Sequence, residues 1–200
     1  MIAEVNSHMP WTEGPSKIPI TDIDWWIERE EPILTTLELW PKFFQRPQHP
    51  LDVRNKIGEN VLKEIPDGAT LRFGVSPIVL WVFPFLSQRN DLGLHSDILT
   101  ESLFRLHEDG IITNKYKTID TGRTVISQAH GSSNLYDFLN RNPIVEFHPS
   151  SYLCDPQVLG KIDNLISIVG ALKVDLTGQV ATDSIAKKVY GGVWSDDDSI

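Results

Sequence analysis

From residue 52 onwards, short apolar segments alternate between a helical period and a strand period. Apolar side chains recur every four residues over 52–65, which is the spacing of one helix face, and a turn at residues 65–68 ends the pattern. The stripe consists of Val53, Ile57, Val61 and Ile65. The sequence therefore predicts a helix over about 52–65.

The remaining segments continue the alternation. Strands are predicted at 69–75, 91–95, 123–128, 144–147, 165–169 and 172–176. Helices are predicted at 77–87 with a kink or an early end at Pro84, over the apolar positions Leu99, Leu103 and Leu106 up to Gly110, at 133–141, and from Asp155-Pro156. Strands that are apolar on both faces and separated by helices indicate an α/β fold with a mostly parallel sheet.

The first 50 residues follow no such period. Seven prolines interrupt this segment, which is nevertheless rich in tryptophan and phenylalanine. We interpret residues 1–50 as an extended N-terminal arm or linker whose aromatic side chains pack on another surface. Residues 51–194 then form the folded domain, and 195–200 form an acidic, solvated tail.

Composition narrows the class of protein. The 200 residues have 40% hydrophobic and 22% charged side chains, which is ordinary globular usage and enough for one domain with a core. There is no apolar run long enough to span a membrane. The net charge of −9, with scattered basic residues, argues against nucleic acid as a partner. Cys154 stands alone and the N-terminus lacks targeting features, so we expect a soluble, cytoplasmic protein.

Two loops carry the candidate chemistry, because ligands of open parallel sheets bind at the carboxyl ends of strands. Gly74-Val75-Ser76 separates a strand from a helix, where free backbone N–H groups can hold an anion or an oxyanion. Asp97 ends a strand and could act as nucleophile or base. The simpler interpretations are a turn glycine and a helix-capping aspartate. A metal site of His95 and Asp97 with His130 or His148 is a weak alternative, and we expect no metal.

Several segments together resemble the acetyl-CoA hydrolase/transferase family, which includes acetate, butyrate and 4-hydroxybutyrate CoA-transferases. The likeness runs from about residue 6 to residue 193, in the family's order and spacing. One segment is Asp91-Leu-Gly-Leu-His-Ser-Asp97, and the others are 57–61, 65–71, 110–118, 135–138, 142–147 and 174–180.

The resemblance implies an open, three-layer α/β/α domain, the second of the two that family members carry. It implies acyl-CoA and a small carboxylate as substrates, as in acetate metabolism, with coenzyme A carried on an active-site glutamate as a thioester. It also implies a partner for the domain, either another CoA-transferase domain or a second copy of the chain.

Transferred to this sequence, the family's site residues fall on positions that often differ from the family. The catalytic positions are Asp97 at the glutamate, with the backbone N–H groups of Val75 and Ser195 as the oxyanion hole. The CoA-binding positions are Gly74, Ser76, Cys154 and Gly192. Ser76 and Ser195 replace glycines, and Cys154 replaces an asparagine.

Three hypotheses follow from these departures. The chain is an active transferase or acetyl-CoA hydrolase that uses Asp97, or a catalytically impaired CoA-transferase-like domain, or a truncated product that needs a partner domain. Replacing glutamate by aspartate withdraws the carboxylate by about 1.5 Å, and misplacement by ~1 Å can cost ~100-fold in rate. A withdrawn carboxylate leaves room for water, which it could activate as a general base. Cys154 offers only a weak S–H donor for CoA.

Overall fold

The computed structural model describes residues 1–39, 49–74, 76–185 and 187–189. Its strands are β1 (Ile2–Asn6), β2 (Trp25–Arg29), β3 (Thr70–Phe73), β4 (Gly93–Leu94), β5 (Ile98–Thr100), β6 (Thr124–Ile126), β7 (Gln128–His130), β8 (Val145–Phe147), β9 (Leu165–Ile168), β10 (Lys173–Val174), β11 (Val180–Ala181), β12 (Ser184–Ile185) and β13 (Lys188–Val189). Its α-helices are α1 (Thr36–Leu39), α2 (Leu51–Lys63), α3 (Glu101–Glu108), α4 (Ser133–Leu139), α5 (Ser150–Leu153) and α6 (Pro156–Leu159).

The strands of the domain are mostly parallel. β4, β3 and β9 form one three-stranded parallel group, with Leu71 opposite Leu94 on one side and Ile166 on the other. β6 pairs in parallel with β8, and a parallel bridge between His95 and Val125 joins this pair to β4. The spatial order is therefore β9, β3, β4, β6, β8, and the predicted α/β class with a mostly parallel sheet is confirmed.

The core lies around β3 and β4. All four residues of β3 are buried, as expected for a central strand covered on both faces. The apolar faces of α2, α3 and α4 contribute Leu62, Leu103 and Leu135 to the same cluster. One core therefore supports the strands whose carboxyl ends carry the two candidate loops.

Several element predictions need correction. The segment predicted as a helix at 77–87 forms two 3₁₀ helices, Val79–Trp81 and Phe83–Gln88, since Pro84 lacks the N–H that an α-helix requires. Leu99 lies on β5 rather than on the helix, which begins after Thr100. The strand predicted at 123–128 is divided at Ser127, whose backbone N–H bonds to the Asp97 carbonyl oxygen. The strand predicted at 172–176 is only β10, in an antiparallel pair with β11.

The N-terminal segment is more ordered and more exposed than predicted. β1 and β2 form a parallel pair, in which Trp25 and Trp26 remain 73% and 56% exposed. Residues 11–14 do contact the domain: the Trp11 carbonyl oxygen accepts from Arg141 N–H at 2.8 Å, and Glu13 bridges Glu146. The arm is thus joined to the domain near β8. Residues 40–48 and the predicted acidic tail at 195–200 lie outside the described residues.

Two side chains complete the join between β4 and β6. On the β6 side of β4, Leu94 N–H donates to Asn114 Oδ1 at 2.9 Å, and the Leu94 carbonyl oxygen accepts from Lys117 Nζ at 3.0 Å. Asn114 Nδ2 also donates to Thr124 Oγ1 on β6 at 3.0 Å. A Cβ on Gly93 would lie 2.7 Å from Lys117 Cγ, so the lysine stem needs glycine there. On this side of Leu94, the Asn114 and Lys117 side chains therefore make the hydrogen bonds that the backbone of a neighbouring strand makes in a regular sheet.

Replacing Asn114 by alanine should destabilise the fold by about 2–4 kcal/mol. The change leaves Leu94 N–H buried without an acceptor, and it places alanine at a φ of 57° that asparagine tolerates better. Urea unfolding measures the effect. Arg141→Ala is the matched control, since Arg141 also has a positive φ (55°) but is exposed. Equal losses for the two variants would show that the Asn114 hydrogen bonds contribute nothing.

Stability should fall as the pH drops from about 7 to 5. Burial lowers the pKa of His95 to about 4, and burial also lowers the pKa of His107 to about 4. Unfolded histidine takes up a proton near 6.5, so in this window the unfolded chain binds more protons and is favoured. Each histidine should contribute a loss of about 1–2 kcal/mol, measured by urea unfolding at both pH values. His107→Gln should reduce this pH dependence, and an unchanged dependence would contradict the assignment to His107.

Candidate active site at the carboxyl ends of β3 and β4

The first candidate loop, His95-Ser96-Asp97, follows β4 and is fixed through its backbone. Ser96 N–H donates to the Val125 carbonyl oxygen at 3.0 Å. The Asp97 carbonyl oxygen accepts from the N–H groups of Ser127 at 3.2 Å and Gln128 at 3.0 Å. The Asp97 backbone is therefore held by the β6–β7 segment, and other contacts must fix the orientation of its side chain. The residue as a whole is 9% exposed.

Two side chains surround the Asp97 carboxylate. Arg72 extends from β3, and its Nη2 lies 3.8 Å from Asp97 Oδ2. The same Nη2 donates to Cys154 Sγ at 3.4 Å, and this sulfur lies 4.0 Å from Asp97 Oδ1. The structure thus brings together two predicted site residues, Asp97 and Cys154, with an arginine that the sequence analysis did not identify.

The second candidate loop follows β3 and lies beside the loop that leaves β9. Gly74 N–H donates to the Ile168 carbonyl oxygen at 3.0 Å, and Ser76 Oγ accepts from Ile78 N–H at 3.3 Å. Gly170 approaches closely, since a Cβ there would lie 2.6 Å from Ser76 Cβ. Gly74 and Ser76 therefore occupy the carboxyl end of the strand next to β4, as predicted.

The other predicted site residues cannot be placed. Val75 lies outside the described residues, and so do Gly192 and Ser195. The proposed oxyanion donors at Val75 and Ser195 and the CoA contact at Gly192 stay predictions. Asp97, Cys154, Gly74 and Ser76 are the members of the predicted set that the structure places.

A partly buried polar cluster surrounds Tyr152. The Tyr152 ring stacks on His148 with 4.4 Å between centroids and faces His95 at 6.0 Å. Burial, together with a hydrogen bond to Asp120 at 3.0 Å, raises the pKa of Tyr152 to about 12. Burial lowers the pKa of Lys117 to about 8. These groups fix the α5 segment, which precedes Cys154, against the β4–β6 join.

The weak metal hypothesis gains no geometric support. His148 Nε2 lies 3.0 Å from Glu146 Oε2 and its ring stacks on Tyr152, while His130 lies on β7. Within the described ranges, no group of three or more His, Cys, Asp or Glu side chains is arranged to hold a metal ion. In the same ranges, no helix combines the length and apolarity needed to cross a membrane.

Sequence reasoning missed Arg72 and Lys117. Arg72 carried a signal, because a charged residue inside a strand predicted to be buried must find a counter-charge or backbone acceptors. It stands between Leu71 and Phe73 in such a strand. Lys117 lies outside the predicted strands and carried no such signal. The Asp97 partner of Arg72 comes from another part of the chain, so the sequence could mark Arg72 as unusual but not identify its contact.

Comparison with known proteins identifies relatives along the whole chain. The chain is 40% identical over 200 residues to a 4-hydroxybutyrate coenzyme A transferase of Clostridium kluyveri, covering 100% of this chain and 44% of that protein. A solved 4-hydroxybutyrate CoA-transferase from Porphyromonas gingivalis superposes with a TM-score of 0.78 at 38% identity, covering 90% of this chain and 43% of that one. RipA from Yersinia pestis superposes with a TM-score of 0.78 at 32% identity, covering 91% of this chain and 40% of that one.

The chain therefore spans less than half the length of these relatives. Residues 131–198 match the family model described as the acetyl-CoA hydrolase/transferase C-terminal domain. That match includes α4, β8 and the Cys154 segment, and the relatives extend the similarity across both candidate loops. The chain is therefore similar along its whole length to members of the acetyl-CoA hydrolase/transferase family, and its residues 131–198 carry the C-terminal domain of that family.

Proposed function

We propose that this chain provides the carboxylate-bearing domain of an acyl-CoA:carboxylate CoA-transferase, with Asp97 as the nucleophile. The observation that carries the proposal is the position of Asp97 in the short loop between β4 and β5, with its backbone fixed and its carboxylate beside Arg72 and Cys154. A buried carboxylate with an oriented side chain at the carboxyl end of a central parallel strand suits covalent catalysis.

The reaction passes through acyl transfer to the carboxylate. An Asp97 oxygen attacks the acyl-CoA carbonyl carbon, the thioester bond breaks, and CoA thiolate leaves an aspartyl-acyl anhydride. The thiolate then attacks the aspartyl carbonyl carbon, so the first carboxylate departs and an aspartyl-CoA thioester remains. A second carboxylate takes the acyl role in the reverse sequence and leaves with CoA, which regenerates Asp97. No net oxidation occurs, and no metal is required.

The Gly74–Ser76 loop supports the oxyanion of these steps in our proposal. Backbone N–H groups between a strand end and a following helical turn can face the developing negative charge. The loop lies against Gly170, and Gly74 is anchored to β9 through Ile168. The described part of this loop therefore has the rigidity that an oxyanion donor needs, and we assign the donor role to the Val75 N–H.

Hydrolysis of acetyl-CoA is the second candidate activity. Asp97 is one methylene shorter than the family's glutamate, and its Oδ2 is held back by Arg72 at 3.8 Å. A carboxylate that stops about 1.5 Å short of the thioester leaves space for one water, which it can deprotonate for attack on the acyl carbon. The third hypothesis is a catalytically impaired domain, which would show neither transfer nor hydrolysis.

The exposed N-terminal sheet supports a partner for this domain. β1 and β2 present Trp25, Trp26 and Ile27 to solvent with exposed fractions of 56–73%. Contiguous exposed apolar residues of this kind mark interaction surfaces. We propose that another CoA-transferase domain or a second copy of the chain covers them. We further propose that acyl-CoA and a small carboxylate bind beside Asp97, and that the reaction belongs to cytoplasmic acetate metabolism.

Removing the Asp97 nucleophile should abolish CoA release. Asp97→Asn should lower release from acetyl-CoA by at least about 100-fold, with or without butyrate as acceptor, since an amide neither attacks the thioester nor accepts a proton from water. Thiol release measures the rate. Asp163→Asn on the exposed surface is the control. Wild-type release by a folded Asp97→Asn variant would remove Asp97 from the mechanism.

Asp97→Glu separates transfer from hydrolysis. The longer side chain restores the family's reach, so the ratio of butyryl-CoA formed to CoA released should rise. The measurement is chromatography of the acyl-CoA products with and without butyrate. A ratio that stays constant while both rates change would contradict the argument from carboxylate reach.

The contact of Gly170 with Ser76 provides a test of the oxyanion loop. Gly170→Ala would place a methyl group 2.6 Å from Ser76 Cβ and displace the loop, so CoA release should fall by about tenfold or more. Gly170→Ala combined with Ser76→Gly removes the clash and should recover most of the rate. Gly160→Ala is the control, since its φ is −65° and a Cβ there meets only the Pro156 carbonyl oxygen, at 3.1 Å. Full activity of the single variant would exclude a catalytic role for the loop position.

A further inference from the structure

Arg72 is fully buried, yet it reaches the carboxylate that we assign to the chemistry. We propose that Arg72 is a positioning residue for Asp97: its guanidinium, 3.8 Å from Oδ2, fixes the orientation in which the carboxylate attacks the acyl-CoA carbonyl. The inference rests on the proposed function, because it concerns the orientation of the same nucleophile.

Burial makes the ion pair structurally significant. The Arg72 side chain is 0% exposed and that of Asp97 is 12% exposed, so water does little to screen their charges. A guanidinium stays charged at all ordinary pH values and must be compensated when it is buried. The Asp97 carboxylate, 3.8 Å away, supplies a compensating negative charge.

Both partners stand on fixed backbone. Arg72 lies within β3 and pairs in register with Ser167 of β9. The Asp97 carbonyl oxygen accepts from Ser127 and Gln128 N–H groups. Only side-chain torsions remain free, and the guanidinium restrains those of Asp97. This restraint matters more for aspartate than for a longer side chain, because a short carboxylate cannot reach the thioester from an unfavourable rotamer.

The two carboxylate oxygens face different surroundings. Oδ2 faces the Arg72 guanidinium, whereas Oδ1 faces Cys154 Sγ at 4.0 Å. Cys154 is partly exposed whereas Arg72 is fully buried, so the carboxylate lies between a buried cation and a partly exposed thiol. Because Arg72 is buried and acts through Asp97, losing it should change kcat more than the KM for acyl-CoA.

The experiment compares Arg72→Gln, Arg72→Lys and wild type, with Arg89→Gln as a matched control. Arg89 is a partly buried arginine. It donates to the backbone carbonyl oxygens of Leu62 and Ile65 and does not contact Asp97. Each purified chain is assayed for CoA release from acetyl-CoA with and without butyrate, and its thermal midpoint is measured. A temperature about 15 °C below the lowest midpoint keeps all variants folded. If Arg72→Gln does not fold, Arg72→Lys serves as the test variant.

Arg72→Gln should lower kcat at least about tenfold with KM within about twofold. Added guanidinium ion at millimolar concentration should restore part of the rate, and Arg72→Lys should retain an intermediate rate. Arg89→Gln should lower the thermal midpoint and leave kcat near that of wild type. Rescue by guanidinium would not occur if Arg72 served packing alone.

Three results would overturn the inference, and they differ in what else they overturn. A folded Arg72→Gln variant with wild-type kcat, in a chain whose CoA release requires Asp97, refutes the positioning role and leaves the proposed function intact. The positioning role is also refuted if the loss of kcat is proportional to the fall in thermal midpoint and this proportion is the same for the Arg72 and Arg89 variants. A wild-type chain whose CoA release does not require Asp97 refutes the proposed function and the positioning role together.

Discussion

The short strand β4 is the constraint on which the rest of the structure depends. Its two residues must continue a parallel sheet on both sides, but on the β6 side the Leu94 backbone groups meet the side chains of Asn114 and Lys117. Unsatisfied backbone groups in a core are costly, so these two side chains permit β4 to lie in the middle of the sheet. The strand in turn carries Asp97 to the edge where the β3 loop also ends.

The same arrangement concentrates charge inside the domain. Arg72 and Lys117 are both almost fully buried on opposite sides of β4. Lys117 is satisfied by carbonyl oxygens of Leu94 and Arg123, and burial lowers its pKa to about 8. Arg72 cannot lose its proton and is paired with Asp97 instead. One buried cation therefore serves the scaffold, while the other lies against the carboxylate that we assign to catalysis.

Two residues that the resemblance predicts to depart from the family lie close together. The resemblance puts Asp97 at a glutamate position and Cys154 at an asparagine position, and the structure places both side chains against Arg72. Ser76 likewise lies against Gly170. Packing against Gly170 holds Ser76, and the ion pair with Arg72 holds Asp97, while the strands that precede these residues keep their places in the sheet. This accommodation is compatible with altered chemistry at a site whose framework is intact.

The sequence alone determined the α/β class, most elements of the domain and the two loops at strand ends, because apolar periodicity and turn residues act locally. It also placed Asp97 at the end of a strand and Cys154 just before a helix start. Only the tertiary structure decided that Arg72 meets Asp97, that Lys117 and Asn114 join β4 to β6, and that Leu99 belongs to β5. Those outcomes depend on contacts such as Leu94 with Asn114, 20 positions apart, and Leu99 with Ala129. Local pattern does not specify which distant partner satisfies a buried charge or a backbone group.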